Sequence, residues 1–185
     1  MNVKNVDPNK IVPHVLTYPR SGMHFFDDTL YKMKKIHFSR SHFLDELFDK
    51  NNNKQRVILT IARDPIDSIS SYLAIHNGIA DKFLITQRIT DYVLMYAFLC
   101  ENADYVIDFN DLITYPEPVI EKILSLLNID KDKYSLFNRG HIPKFENYIS
   151  SSKSLEYYDN SLLNSFDTDL CYFYYNKLLE KKITL

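Results

Sequence analysis

The stretch Ile11-Val12-Pro13-His14-Val15-Leu16-Thr17-Tyr18-Pro19-Arg20-Ser21-Gly22-Met23-His24-Phe25 decides how the chain is read. Its apolar run, Ile11, Val12, Val15 and Leu16, predicts a buried strand over Ile11 to Tyr18 that ends at Pro19. Ser21-Gly22 then opens Met23 to Lys35, where Phe26, Leu30 and Met33 are apolar and no proline intervenes, so a helix follows. In a strand, glycine turn and helix, successive backbone N–H groups of the turn share one concavity, and the helix start adds unpaired N–H groups. That combination suits a phosphate or sulfate. Arg20 adds a full charge and a planar fork of donors. An ordinary strand-to-helix turn with a surface arginine has the same local pattern. A nucleoside triphosphatase turn needs Gly-Lys-Ser or Gly-Lys-Thr, whereas Gly22 precedes Met23 and His24, which counts against ATP hydrolysis.

Outward from this unit, Lys35 to Ser41 reads as a second short strand and Phe43 to Lys50 as a short helix stopped by Asn51-Asn52-Asn53. Val57 to Ala62 is the clearest strand, uninterrupted as a strand buried on both faces would be. Asp64 suits an N-cap and Pro65 the first turn of a helix to about Ile75. A long helix from about Asp81 to Glu101 and a strand from Tyr105 to Phe109 follow. Pro116 or Pro118 starts a helix through Leu127, with Val119, Ile120, Ile123, Leu124 and Leu127 at apolar positions. Residues 134–160 lose periodicity and read as a long loop covering a substrate or nucleotide, before a helix near Asp167 to Lys181. The alternation predicts an α/β fold in three layers, a mostly parallel central sheet with helices on both faces.

With 185 residues and 45% hydrophobic content, one core and a single domain over 1–185 are expected. Fourteen tyrosines and twelve phenylalanines give aromatic surface to spare for a cleft. The net charge of -2 provides no global basic field, so neither nucleic acid nor an anionic membrane is an expected partner, and any anion site must be local. Cys100 and Cys171 lie far apart, as in a reducing compartment. The arm Met1 to Lys10 is polar, and no run approaches the roughly 20 apolar residues of a membrane span. A cytoplasmic location is expected.

The turn resembles the 5'-phosphosulfate loop of the sulfotransferases that use 3'-phosphoadenosine 5'-phosphosulfate (PAPS). That loop has the form Y-P-(K/R)-S-G-T-T-W, and Tyr18 to Gly22 agrees with it at five consecutive positions. The family's second signature, R-(D/N)-P-x-D-x-x-x-S-x-Y after a buried strand, is similar to Arg63-Asp64-Pro65-Ile66-Asp67-Ser68-Ile69-Ser70-Ser71-Tyr72, although tyrosine here follows serine directly. Phe109-Asn110-Asp111-Leu112 looks like the family's Y-E-D-L segment. The resemblance implies a P-loop-like turn in which Arg20, Ser21, Gly22, Met23 and His24 hold the phosphosulfate. It places Arg63 and Ser71 on the nucleotide 3'-phosphate and Phe25 and Phe109 at adenine; a buried strand-end phenylalanine would serve equally for Phe109. Arg139-Gly140 is matched to a basic segment that closes over the 3'-phosphate.

Sulfuryl transfer is mostly a matter of placing an in-line acceptor and stabilising charge on the leaving oxygen, which Arg20 and the turn amides would do. The transferred group carries less charge than a phosphoryl group, so no metal is expected. An acceptor hydroxyl or amine, on a small molecule or carbohydrate, needs a general base. The resemblance implies a histidine about twenty residues before the arginine; His42 stands 21 residues before Arg63, with His37 as its competitor. A carboxylate base, as in other branches of the family, leaves Asp27, Asp28 or Glu46. Met23 and His24 stand where the family has threonines, so two hydroxyl donors are lost, and a neutral His24 would donate one hydrogen bond in their place. Three functions are therefore carried forward: an active sulfotransferase, a binding module for PAPS or its product PAP that has lost turnover, and a nucleotide or small-molecule kinase with an unusual loop.

Overall fold

A computed structural model describes residues 11–34, 36, 38–42, 55–75, 81–129 and 163–185. The expected N-terminal arm, the helix over Phe43 to Lys50 and the loop over 134–160 lie outside the described residues, as do His37, Glu46, Arg139 and Gly140.

Among the described residues four parallel strands form one sheet in the order β2-β1-β3-β4: β1 (Ile11–Leu16), β2 (Ser39–Ser41), β3 (Gln55–Ala62) and β4 (Tyr105–Asp108). The described sheet is thus wholly parallel. The pairs His14 with Ile58 and Ile61 with Ile107 fix its register. Four of the described helices alternate with the strands or follow them: α1 (Met23–Lys34), α2 (Pro65–Ile75), α3 (Lys82–Asn102) and α4 (Phe109–Thr114). Two more close the chain, α5 (Pro116–Leu126) and α6 (Asp169–Leu179), with a 3-10 turn at Leu163–Ser165 before α6. The expected first strand ends two residues early, and the second shrinks to three residues.

Phe109 is a correction to the sequence reading: it opens α4 and does not end β4. The cause is Asp108, whose carboxylate accepts the Asn110 N–H at 2.9 Å and so caps a helix that begins as soon as the strand stops. Asp64 does the same for α2, as expected, accepting from Ile66 N–H at 2.9 Å and Asp67 N–H at 3.1 Å. Asp81 caps α3 through Leu84 N–H at 2.8 Å.

Side chains of a strand alternate between faces, and here they divide between two apolar clusters. Leu16, Ile58, Ala62 and Val106 join α2, α3 and α6 through Ile69, Leu73, Ile85, Leu99 and Cys171. Val15, Leu59, Ile61 and Ile107 join α1, α4 and α5 through Phe26, Leu30, Leu112, Ile120 and Ile123. The five apolar positions expected on α5 are all buried. The chain also returns to the sheet after α6, where Ile183 N–H donates to Val106 C=O at 2.9 Å.

Candidate functional site

From β1 the chain passes to β2 on one side of the sheet, and β3 lies on the other. The loops leaving β1 and β3 therefore part at their carboxyl ends, the position at which open α/β sheets carry ligand crevices. Both stretches that drew attention in the sequence begin there, Thr17 to Gly22 after β1 and Arg63 after β3.

The turn is held by Ser21 N–H donating to Tyr18 C=O at 3.2 Å, and α1 starts with Phe26 N–H on Gly22 C=O at 3.0 Å. Arg20 has φ 69 and Gly22 φ 93. Left-handed backbone suits glycine and costs about 1 to 3 kcal/mol in a residue such as arginine. Gly22 is required twice over, because a Cβ there would lie 2.7 Å from Cε2 of Phe109.

Two arginines meet behind this turn. Arg63 Nη1 donates to the Arg20 carbonyl at 2.7 Å, and its guanidinium lies 4.5 Å from the centre of the Phe109 ring. Arg20 Nε donates to Ser71 Oγ at 3.2 Å. Arg20, Gly22, Arg63, Ser71 and Phe109, named from three separate stretches of sequence, thus form one contiguous group. Burial first, and then the Arg20 charge, lowers the pKa of Arg63, while Asp67 opposes the change. Among the described residues the buried Nε of Arg63 has no hydrogen-bond partner. A buried donor left in that state costs about 1 to 3 kcal/mol.

Two tyrosines hold the Arg63 backbone. Tyr92 O–H donates to Arg63 C=O at 2.7 Å, and Arg63 N–H donates to Tyr96 Oη at 3.0 Å. Their rings stack at 4.0 Å and 17°, and Tyr18 meets Tyr92 edge-on at 5.0 Å. Burial raises the pKa of both stacked tyrosines, which keeps them as O–H donors. The sequence reading missed this pair. Its signal was the spacing of four on α3, which sets two side chains on one helix face.

The histidines occupy the other side of the turn. His42, directly after β2, donates through Nδ1 to Thr17 C=O at 2.9 Å. A carbonyl only accepts, so the neutral ring carries its lone pair on Nε2. His24, exposed at the start of α1, has its ring 6.5 Å from that of His42. Arg40 Nη1 lies 3.4 Å from His24 Nδ1 and 2.7 Å from Asp27 Oδ2. Partial desolvation, then the Arg40 charge and His42, lower the His24 pKa. Thr17 and Arg40 also escaped the sequence reading, although Arg40 stands only two residues before His42.

Of the carboxylates considered as bases, Asp27 is buried and paired with Arg40, and Asp28 is buried within α1. Met23 is also buried, packed with Phe26 and Leu30, while Phe25 is half-buried against the same cluster. Among the described residues no group of three or more histidine, cysteine or acidic side chains is arranged to hold a metal ion, and no helix is long and apolar enough to cross a membrane. No protein-family model and no curated protein matches the chain.

Proposed function

We propose that the chain is a PAPS-dependent sulfotransferase acting on a hydroxyl or amine of a small molecule or carbohydrate, in the cytoplasm and without a metal. The observation that carries this reading is the convergence of Arg63 and Ser71 upon Arg20 at the parting of β1 and β3. The Arg20 charge disfavours the charged form of Arg63, and two anionic groups of one nucleotide, one at each arginine, would offset that cost. The left-handed backbone at Arg20 and Gly22 supports a P-loop-like turn whose N–H groups face the phosphosulfate. The two apolar clusters support the reading of the sheet as the middle of three layers.

In this scheme the 5'-phosphosulfate rests on Ser21, Gly22 and Arg20, and the 3'-phosphate on Arg63 and Ser71, with Phe109 against adenine. The acceptor oxygen attacks sulfur in line, its proton passes to Nε2 of His42, and the S–O bond to the 5'-phosphate breaks with its electron pair on the leaving oxygen. Arg20 stabilises that oxygen as PAP leaves.

A second reading, a binding module for PAPS or PAP, is favoured by Met23, which is buried and brings no hydroxyl to the turn. Calorimetric titration of the purified chain with PAP, free of metal, separates these readings from a kinase. Micromolar binding that Arg63→Ala weakens by roughly a hundredfold is the expected result; preference for ATP with magnesium would replace the proposal with the kinase reading. Release of PAP from PAPS in the presence of acceptors then distinguishes the enzyme from the binding module.

A further inference from the structure

The turn carries Met23 and His24 where the loop that it resembles has two hydroxyl side chains, and an organised set of donors stands beside it. Asp27 is buried in α1 and binds Arg40 at 2.7 Å across from β2, which fixes the guanidinium. The same nitrogen, Nη1, reaches His24 Nδ1 at 3.4 Å. A guanidinium has no acceptor atom, so the contact is a hydrogen bond only when Nδ1 presents its lone pair. In a neutral ring the hydrogen then sits on Nε2. His42 is held in the opposite state, with hydrogen on Nδ1 and the lone pair on Nε2, by the Thr17 carbonyl. Neighbouring rings 6.5 Å apart are therefore set for different tasks, one as donor and one as base.

We propose that Asp27 and Arg40 form a positioning pair that fixes His24 as the Nε2–H tautomer, so that this ring donates to the anion bound at the Arg20 to Gly22 turn in place of a hydroxyl. The inference rests on the anion-binding reading of that turn and assigns to Arg40 a role that the sequence motifs do not contain. Positive charge on His24 is opposed by desolvation, by Arg40, by His42 and by Arg20, with Asp27 acting the other way. A neutral donor is thus retained at neutral pH. Arg40 itself need not touch the ligand.

Nitrogen-15 NMR of the histidine rings in the full chain reads the tautomer directly, and titration with PAP reads the consequence. The wild type is expected to give the Nε2–H signature for His24, and Arg40→Ala to give a mixture of tautomers with roughly tenfold weaker PAP binding, the size of one hydrogen bond to a charged acceptor. Asp27→Asn, which keeps the shape of the buried side chain, should give a smaller change in the same direction. Circular dichroism verifies that each variant is folded. If PAP binds but Arg40→Ala changes neither tautomer nor affinity, the positioning pair is refuted and the anion site stands. If the folded wild type does not bind PAP at all, both fall together.

Discussion

Among the described residues two outside glycine adopt left-handed backbone, Arg20 at φ 69 and Asn128 at φ 51, and they belong to very different regions. Asn128 ends α5. Ile129 N–H closes on Leu124 C=O at 3.0 Å and Asn128 N–H on Ser125 C=O at 3.1 Å, so the last carbonyls of the helix are met by a residue type that tolerates the conformation. Apolar spacing, cap and burial agree along that helix. At Arg20 they do not: a residue poorly suited to the conformation carries a charge near enough to half-buried Arg63 to lower its pKa. Consistency across levels marks a segment whose task is to fold, while local violations held by their surroundings mark a candidate site. That contrast assigns stability to one region and the proposed ligand binding to the other, and substitutions can test the division.

The largest effect on stability is expected in the consistent region. Ile120→Ala should lower the unfolding free energy by about 2 to 5 kcal/mol, measured by urea titration, because Ile120 is wholly buried in the α1 and α5 cluster. PAP affinity of the remaining folded protein should not change, and a parallel loss of affinity would break the division. Next, Arg63→Ala should weaken PAP binding by roughly a hundredfold, near the upper range for hydrogen bonds to charged groups. Its unfolding free energy should move by about 1 kcal/mol or less, since truncation also removes a strained pair of like charges.

A sharper test is Arg20→Gly. Glycine accepts the left-handed backbone, so thermal stability should hold or rise by up to about 1 kcal/mol while PAP affinity falls roughly tenfold. Opposite signs from one substitution would be hard to reconcile with a purely structural turn. The smallest effect concerns pH. His24 has its folded pKa lowered from the ordinary 6.5, by desolvation first and Arg40 next. The stability it contributes is therefore fully present above pH 6.5 and is lost as pH falls through the lower folded value. His24→Gln should flatten the fall of the urea midpoint below neutrality, by a modest amount because the ring is exposed.

Much of the fold was legible in the sequence because it rests on local patterns: the β-branched run of β3, the aspartate cap of α2, and the apolar stripe of α5. Phe109 shows where such patterns stop. Its aromatic character fits a strand, but the cap provided by Asp108 starts a helix, and only the tertiary fold brings the ring over Gly22 and Arg63. The arginines and Ser71 of the candidate site were legible through motif spacing. Tyr92, Tyr96, Thr17 and Arg40 were not, because each acts through partners at least 13 residues away in the chain, which periodicity does not report.

The stacked tyrosines have a practical consequence. The chain has no tryptophan, so its near-ultraviolet optical activity arises chiefly from tyrosine, and two phenol rings 4.0 Å apart couple their transitions far more strongly than isolated ones. Both rings bond the backbone of Arg63. A ligand that shifts Arg63 by a fraction of an ångström would change that coupled signal, giving the candidate site an intrinsic, label-free chromophore.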